Sequence, residues 1–247
     1  MTTAREAELR LEAVEQPRAH EYVAEQLRRE IALRVLPPTA PLPPERDLAR
    51  IFRVSRATVQ LAMRLLEREG LIERRRGRNG GTFVIEPAEE APTALLAGIA
   101  EKRTFIEETL DFRAELEPAA AAQAAGTAGS EDLDAIERAA ELAEAAKDDA
   151  EFMRYDTEFH LAVARASHNR YFERAVVQSR VVLNDVLPAL PETALWHART
   201  HRQHAAVLEA LRAGSAPAAR RAMLQHVRDT DRSVRALLAA LDPARPA

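Results

Sequence analysis

The segment from Leu42 to Val84 constrains the fold more than any other part of the chain. It reads LPPERDLARIFRVSRATVQLAMRLLEREGLIERRRGRNGGTFV. The pattern predicts a short helix over 45–52, a tight turn, and a second helix that begins after Ser55, a residue type that caps helix N-termini well. Gly70 is a suitable C-terminal stop for that helix. Two short strands should follow, joined by a glycine-rich tip that permits positive φ angles.

This order of elements predicts a winged helix-turn-helix domain. Such a domain presents the N-terminal residues of its second helix to base edges in the major groove, while cations and helix N-termini contact phosphates. The alternative is a solvated arginine-rich surface on a helical hairpin, and the glycine-rich wing after the second helix argues against it. The positions at the starts of the two helices and at the wing tip that we expect to face DNA are Arg46, Ser55, Arg56, Thr58, Gln60, Arg76 and Arg78.

Charge is distributed unevenly along the chain. The formal net charge is −4, yet residues 18–86 contain 14 arginines and nine acidic residues. A basic module joined to an acidic one is expected of a DNA-binding protein with a separate second domain. The absence of cysteine excludes disulfides, thiolate zinc sites and a cysteine nucleophile. No apolar run is long enough to cross a bilayer, and the charged N-terminus lacks a signal-peptide core, so we expect a cytoplasmic protein.

The chain divides into four regions by composition. Residues 1–17 are predicted to be a flexible arm, 18–86 the winged helix-turn-helix domain, 87–92 a linker, and 93–241 a second, helical domain. In the last region, alanine-rich segments with apolar residues three and four apart predict six or seven helices. The expected fold class is therefore mainly α: a small β-hairpin wing on the first domain and an all-α bundle for the second.

Four residues of the second domain have the spacing of ligands for one metal ion: Asp156, His160, His204 and His226. The first two are four residues apart and therefore share one face of a helix, and the other two fall on later helices. Three imidazoles and a carboxylate suit a divalent ion such as Zn, Ni, Mn or Fe, without choosing among them. His197 and His201 are competing candidates, because they lie four residues apart and close to the third ligand.

The N-terminal motifs resemble those of the GntR family of bacterial transcription regulators. The similar stretches are LPPERDLA, VSRATV and LEREGLIERRRGRNGGTFV, within residues 18–86. The resemblance implies that Arg46, Ser55, Arg56 and the wing around Gly77 contact DNA. This chain departs from the family at Gln60-Leu61, where many members have Arg-Glu. A glutamine there could form a bidentate pair with adenine, which predicts a different half-site.

The second domain resembles the FCD sensor domain of the FadR subfamily. The similar stretches are FIEETLDFRAELEPAAAAQAA (105–125), YDTEFHLAVARASHNRYF (155–172) and HAAVLEALRAG (204–214). The resemblance assigns the metal to the four residues named above and makes Arg113 the partner of an effector carboxylate. An intrahelical pair with Glu117 is the alternative for Arg113. A small departure is Gln203, where relatives often have glutamate.

These features predict a regulator and not an enzyme. We expect a homodimeric, metabolite-responsive repressor that leaves a palindromic double-stranded DNA operator when a small carboxylate or sugar acid binds beside the metal. Two alternatives remain open at this stage. One is a metal-dependent hydrolase, for which Glu158 is the nearby base, although on a helix it points away from Asp156 and His160. The other is a regulator whose metal is purely structural.

Overall fold

A computed structural model describes residues 19–36, 38–77, 80–85, 92–190 and 194–242. The predicted N-terminal arm and nearly all of the predicted linker lie outside these ranges, as does the wing residue Arg78. The remaining residues form ten α-helices, one short 3-10 helix and one two-stranded sheet.

The first domain is a winged helix-turn-helix, as predicted. Its helices are α1 (Ala19–Ala32), α2 (Glu45–Phe52) and α3 (Arg56–Arg68), followed by strands β1 (Ile72–Arg75) and β2 (Gly81–Val84). The strands pair antiparallel, with the first residue of β1 opposite the last residue of β2. All five elements contribute to one apolar core, which includes Val23, Leu27, Leu48, Val59, Leu66 and Ile72.

Local backbone preferences explain the turns of this domain. Arg53 adopts a left-handed conformation (φ 55°) between α2 and α3, and the Ser55 hydroxyl accepts a hydrogen bond from the Thr58 N–H at 3.1 Å, capping α3 as expected. At the wing tip Gly77 has φ 114°. A Cβ at Gly80 would lie 2.7 Å from the Arg75 carbonyl oxygen, so that turn requires glycine.

The second domain is an all-α bundle. Within the described residues it contains seven α-helices, α4 (Pro92–Glu101), α5 (Arg103–Thr127), α6 (Ser130–Glu144), α7 (Asp149–Ala166), α8 (Arg170–Val186), α9 (Ala194–Arg212) and α10 (Ala216–Ala240), with a 3-10 turn at Leu187–Ala189 after α8. The longest two, α5 and α10, pack against each other, and α7, α8 and α9 surround α5. None of the helices in the described ranges combines the length and apolar character needed to cross a lipid bilayer.

The two domains share a small apolar core of their own. Leu33, the first residue after α1, is 2% exposed and packs with Leu161 and Ala164 of α7 and Val176 of α8. The C-terminal end of α1 is thereby half-buried against the bundle, and α1 also packs on α3. Helix α1 is therefore a physical connection between the sensor helices and the helix that should read DNA.

Candidate metal centre and nucleic-acid interface

The bundle brings the four predicted metal ligands together. Asp156 and His160 come from α7, His204 from α9 and His226 from α10, and one ligand atom of each lies within 4.8 Å of all the others. All four side chains are buried, with at most 4% of any residue exposed. The i, i+4 spacing on α7 places its two residues on one face, and the packing of α9 and α10 supplies the other two imidazoles.

The imidazoles of His160 and His226 face each other. Their Nε2 atoms are 3.0 Å apart, and the Nδ1 atom of His160 bonds to a carboxylate oxygen of Glu117. Because a carboxylate accepts, His160 must carry its proton on Nδ1 and present a lone pair at Nε2. An acceptor on one ring nitrogen commonly orients a metal-binding histidine in this way.

The same reasoning applies to His226. Its Nδ1 atom lies 3.1 Å from the Oε1 atom of Gln203, and the Nε2 amide of Gln203 donates to Asp229. The amide orientation is thus set by Asp229, so Gln203 accepts the His226 proton and leaves a lone pair on His226 Nε2 as well. Two lone pairs that face each other at 3.0 Å are electrostatically unfavourable unless a cation lies between them.

Protonation of either ring is a poor way to remove this repulsion. Burial lowers the pKa of His226 well below its ordinary value, with His204 and His160 adding to the effect. Burial also lowers the pKa of His160, although Glu117 opposes it. The two rings are therefore neutral near pH 7, the form in which imidazole binds metals.

His204 and Asp156 complete the group. The His204 ring stacks on Phe159 at 3.8 Å between centroids, and its Nε2 atom lies 3.3 Å from Asp156 Oδ1. Neither ring nitrogen of His204 has a hydrogen-bond partner among the described residues, although both are buried. Orphaned buried nitrogens are costly, and a metal ion would satisfy one of them. The donor set fits a divalent ion.

Two further residues of the centre were not predicted as part of it. Glu117 of α5 binds His160, and the Nη2 atom of Arg180, on α8, donates to Asp156 Oδ2 at 2.7 Å. Burial opposes ionisation of Asp156, but Arg180 and His204 outweigh it and hold the pKa of this carboxyl well below its usual value. Glu117 was identified only as a possible partner of Arg113. Nothing in its local sequence distinguishes Arg180 from a surface arginine.

Arg113 forms the intrahelical pair with Glu117 and, in the part of the chain that is described, keeps one unpaired N–H group. Its Nε atom donates to Glu117 at 2.5 Å, which is the predicted intrahelical pair, and its Nη1 atom lies 3.4 Å from Asp231. The remaining Nη2 atom is buried and lacks a hydrogen-bond partner within the described ranges. The side chain is 0% exposed. One donor edge of a fully buried guanidinium is thus left for another acceptor.

The competing histidines lie to one side of this group. His197 stacks on Phe152 with 4.3 Å between ring centroids, and His201 contacts the edge of the same ring at 5.7 Å. Neither belongs to the set of clustered ligand atoms found among the described residues. The geometry therefore favours His204 over both as the α9 ligand.

The predicted DNA-facing residues are mostly exposed around the start of α3. The side chains of Arg46 and Arg56 are 82% and 66% exposed, and Ser55, Arg76 and Gly77 are exposed as well. Thr58 is half-buried, and its hydroxyl lies 2.8 Å from that of Ser55.

Gln60 is also half-buried, and it is held by a residue that was not singled out. Its Nε2 amide donates to Glu45 Oε2 at 3.0 Å. The same carboxylate lies 4.0 Å from Arg56 and 3.4 Å from Arg74. Glu45 thus joins the start of α2 to α3 and to β1. A contact between Gln60 and adenine would require exchange of the bond to Glu45.

A winged helix-turn-helix joined to a helical bundle with a buried cluster of metal-binding side chains defines a two-domain DNA-binding regulator. Comparison with known protein families supports this assignment. Residues 19–84 match the family described as bacterial regulatory proteins, gntR family, and residues 108–229 match the FCD domain. The chain belongs to the GntR family of transcription regulators, in its FadR-type subfamily.

Curated relatives extend over most of the chain. It is 30% identical over 227 residues to the putative L-lactate dehydrogenase operon regulatory protein of Escherichia coli (strain K12), covering 85% of this chain and 84% of that protein. It is 29% identical over 214 residues to the HTH-type transcriptional repressor NanR of Cronobacter sakazakii, covering 84% and 82%. These relatives and the two matched families are transcription regulators, which gives the hydrolase alternative no support.

Solved structures show the same fold. E. coli McbR/YncC superposes with a TM-score of 0.55 at 19% identity, covering 89% of this chain and 98% of that one. A putative GntR regulator from Rhodococcus sp. RHA1 gives 0.51 at 22% identity, covering 88% and 97%.

Proposed function

We propose that this protein is a homodimeric, metabolite-responsive repressor whose sensor domain holds a divalent metal ion and binds a small organic acid beside it. The metal ligands are Asp156, His160, His204 and His226. The winged domain of each protomer reads one half of a palindromic operator, because a two-fold dimer imposes its symmetry on its site. The observation that carries the proposal is the buried donor set, with two lone pairs facing each other and unpaired N–H groups beside them.

The unpaired donors favour an anionic effector. The Nη2 atom of Arg113 and the Nε atom of Arg180 are buried without hydrogen-bond partners in the described structure. Leaving such groups unpaired costs about 1–3 kcal/mol each. A carboxylate bound to Arg113 would supply the acceptor and match guanidinium geometry, and a divalent ion in the centre would supply a Lewis-acidic charge that attracts carboxylate oxygens.

The charge of the cluster leads to the same ligand class. Arg113 and Arg180 balance the ionised Asp156 and Glu117. Burial raises the pKa of Asp231 to about 6, with Arg113 opposing the rise, so this carboxylate is ionised at neutral pH. These two arginines and three carboxylates together carry a net charge of −1. Adding a divalent cation changes the net charge to +1, which a monocarboxylate neutralises. A small carboxylic or sugar acid therefore suits the site better than a neutral sugar or a cation.

The names of the relatives are compatible with this function. NanR is called a repressor, and another relative is called a regulator of an L-lactate dehydrogenase operon. L-Lactate is a small hydroxy acid. We propose the same sign of regulation here, with effector binding favouring the arrangement of the domains that binds DNA less tightly. The effect on DNA affinity equals the difference in effector affinity between the two arrangements.

A thermal-shift screen of small carboxylic and sugar acids tests this proposal. Protein loaded with Zn²⁺ or Ni²⁺ is compared with protein stripped by EDTA. An acid at 100 times its dissociation constant should stabilise the loaded protein by roughly 2.7 kcal/mol and the stripped protein much less. Arg113→Gln should abolish the shift. Arg212→Gln is the matched control, because that arginine pairs with Glu137 at the surface.

Three results would count against the proposal. Equal shifts in both forms would place the acid away from the metal. A normal shift in Arg113→Gln would remove that side chain from the site. A screen with no hit in either form would favour the purely structural metal.

A further inference from the structure

The last turn of α1 is completed by the sensor domain. An α-helix leaves its final four carbonyls without intrahelical partners. Here the carbonyls of residues 29–31 accept backbone N–H groups from within residues 33–36. The fourth carbonyl, that of Ala32, accepts a hydrogen bond at 3.1 Å from the Nδ2 amide of Asn184, which lies on α8. One side chain of the sensor domain therefore holds the end of a helix of the DNA-binding domain.

The orientation of the Asn184 amide is unambiguous. Its Oδ1 atom accepts from the Thr157 hydroxyl at 3.2 Å and from Arg180 Nη2 at 3.3 Å. That hydroxyl has its own donor, since Arg180 Nη2 lies 2.8 Å from it. Turning the amide over would set its NH₂ group against the guanidinium, so the Nδ2 atom must face Ala32.

The same guanidinium reaches the metal centre. Arg180 Nη2 donates to Asp156 Oδ2 at 2.7 Å, while the other oxygen of that carboxylate lies 3.3 Å from His204 Nε2. A continuous set of hydrogen bonds thus runs from Asp156 through Arg180, the Thr157 hydroxyl and Asn184 to the Ala32 carbonyl. Asp156, Thr157, Arg180 and Asn184 are each at most 4% exposed. Water cannot easily replace any of these bonds, so a shift at one end must be accommodated at the other.

We propose that Arg180 and Asn184 are positioning residues that couple the metal centre to the orientation of α1, and through α1 to the recognition helix α3. This inference rests on the proposed metal site at Asp156. Ligation of Asp156 would fix its carboxylate, which fixes Arg180 and the acceptor side of Asn184. The amide then holds Ala32, and with it the end of α1, against α8. Leu33 and its apolar neighbours on α7 and α8 make this contact rigid.

Hydrogen exchange at the end of α1 tests the proposal without DNA or an identified effector. The amides of Leu33, Arg34 and Leu36 are hydrogen-bonded in the docked turn. Their exchange is measured by mass spectrometry on the full-length protein, stripped or saturated with Zn²⁺. In wild-type protein we expect Zn²⁺ to slow exchange at least about fivefold, the lower end of ordinary coupling between sites.

The informative variant is Asn184→Asp. It keeps the Oδ1 acceptor for Arg180 and Thr157 but replaces the donor to Ala32 with an oxygen. The Zn²⁺ affinity of this variant, measured by calorimetry, should stay within about tenfold of wild type. The factor by which Zn²⁺ slows hydrogen exchange in residues 33–36 should fall below about twofold. Ser179→Ala is the matched control. Among the described residues, this buried serine on the same helix bonds only to the Val176 carbonyl of its own helix, and the variant should behave as wild type.

The outcomes separate this inference from the proposed function. If wild-type protein binds no Zn²⁺, the proposed metal site is wrong and this inference fails with it. If it binds Zn²⁺ with unchanged exchange at residues 33–36, only the coupling is wrong. Metal-dependent slowing retained in Asn184→Asp would also overturn the coupling. If Asn184→Asp fails to fold, the Thr157→Val variant is measured instead. The factor by which Zn²⁺ slows hydrogen exchange should then be at most half the wild-type factor. An unchanged factor would refute the proposal.

Discussion

The DNA-facing surface and the metal centre are built in opposite ways. The proposed DNA contacts fall within a short stretch of chain, project from α2, α3 and the wing, and are largely exposed. The metal centre takes side chains from α7, α9 and α10, with support from α5 and α8, and is buried throughout. At the surface, a side chain can be removed with little cost to folding. In the candidate centre, the side chains that would bind an ion also contribute to the packing of the bundle.

The largest effect should come from the buried centre. Replacing His204 and His226 together by alanine removes two of four ligands, and we expect metal affinity to fall more than about a thousandfold, because metal binding depends on the complete ligand set. Elemental analysis of purified protein measures the loss, with His197→Ala plus His201→Ala as the matched control. Occupancy of one metal per chain in the first variant, or its loss in the control, would show that the wrong histidines were assigned.

Substitution on the exposed DNA-facing surface should lower DNA affinity without lowering stability. Arg56→Ala should lower affinity for a selected operator about a hundredfold at most, because a base-contacting arginine contributes about 1–3 kcal/mol, and stability should be unchanged. Fluorescence anisotropy measures binding and thermal melting measures stability. Arg221→Ala, an exposed arginine of α10, controls for the change in net charge. Unchanged operator binding would show that Arg56 does not contact DNA. A lower melting temperature would show that this exposed residue also contributes to stability, contrary to the proposed difference between the two regions.

A substitution behind the ligands should have an intermediate effect. Glu117→Gln retains the shape but weakens the acceptor for the His160 proton, and such changes typically cost about tenfold or more in metal affinity. Competition with a chromogenic chelator gives the dissociation constant. The control Glu115→Gln alters an exposed carboxylate on the same helix and should leave the metal dissociation constant unchanged. Equal affinities for the two variants would mean that Glu117 does not orient His160.

The smallest effect, taken per pH unit, should be a pH dependence of stability due to Asp231. Its folded-state pKa is raised to about 6 from 3.8, so the protonated form contributes stability that is present below about pH 4 and is lost as pH rises to 6. Relative to Asp231→Asn, the wild-type free energy of unfolding should therefore fall with pH by about 1 kcal/mol per unit in this window. Urea unfolding measures it, with the exposed Asp134 of α6 replaced by Asn as control. Parallel pH profiles would contradict the raised pKa.

Sequence alone predicted the parts that depend on neighbours along the chain. The cap at Ser55, the stop at Gly70 and the glycine wing follow from local backbone preferences, and the six or seven helices predicted for the second domain agree with the seven observed, α4 to α10. Its helical spacing from Leu48 predicts that Ile51 is buried as well, and this prediction is wrong, since Ile51 is 60% exposed. Helical periodicity defines an apolar face, but the packing of α2 on its neighbours decides how much of that face is covered.

Which distant side chains meet was decided by tertiary structure. The spacing of Asp156 and His160 indicates a shared helix face, but no local rule brings Arg180 to that carboxylate or joins Asn184 to the end of α1. Those contacts depend on how five helices cross, and crossing geometry arises from the interlocking of side chains over whole helix surfaces. The candidate metal ligands and the residues expected to face DNA can therefore be named from the sequence. The protonation states of the histidines and the connection between the two domains are set by packing, because each depends on a partner distant in the chain.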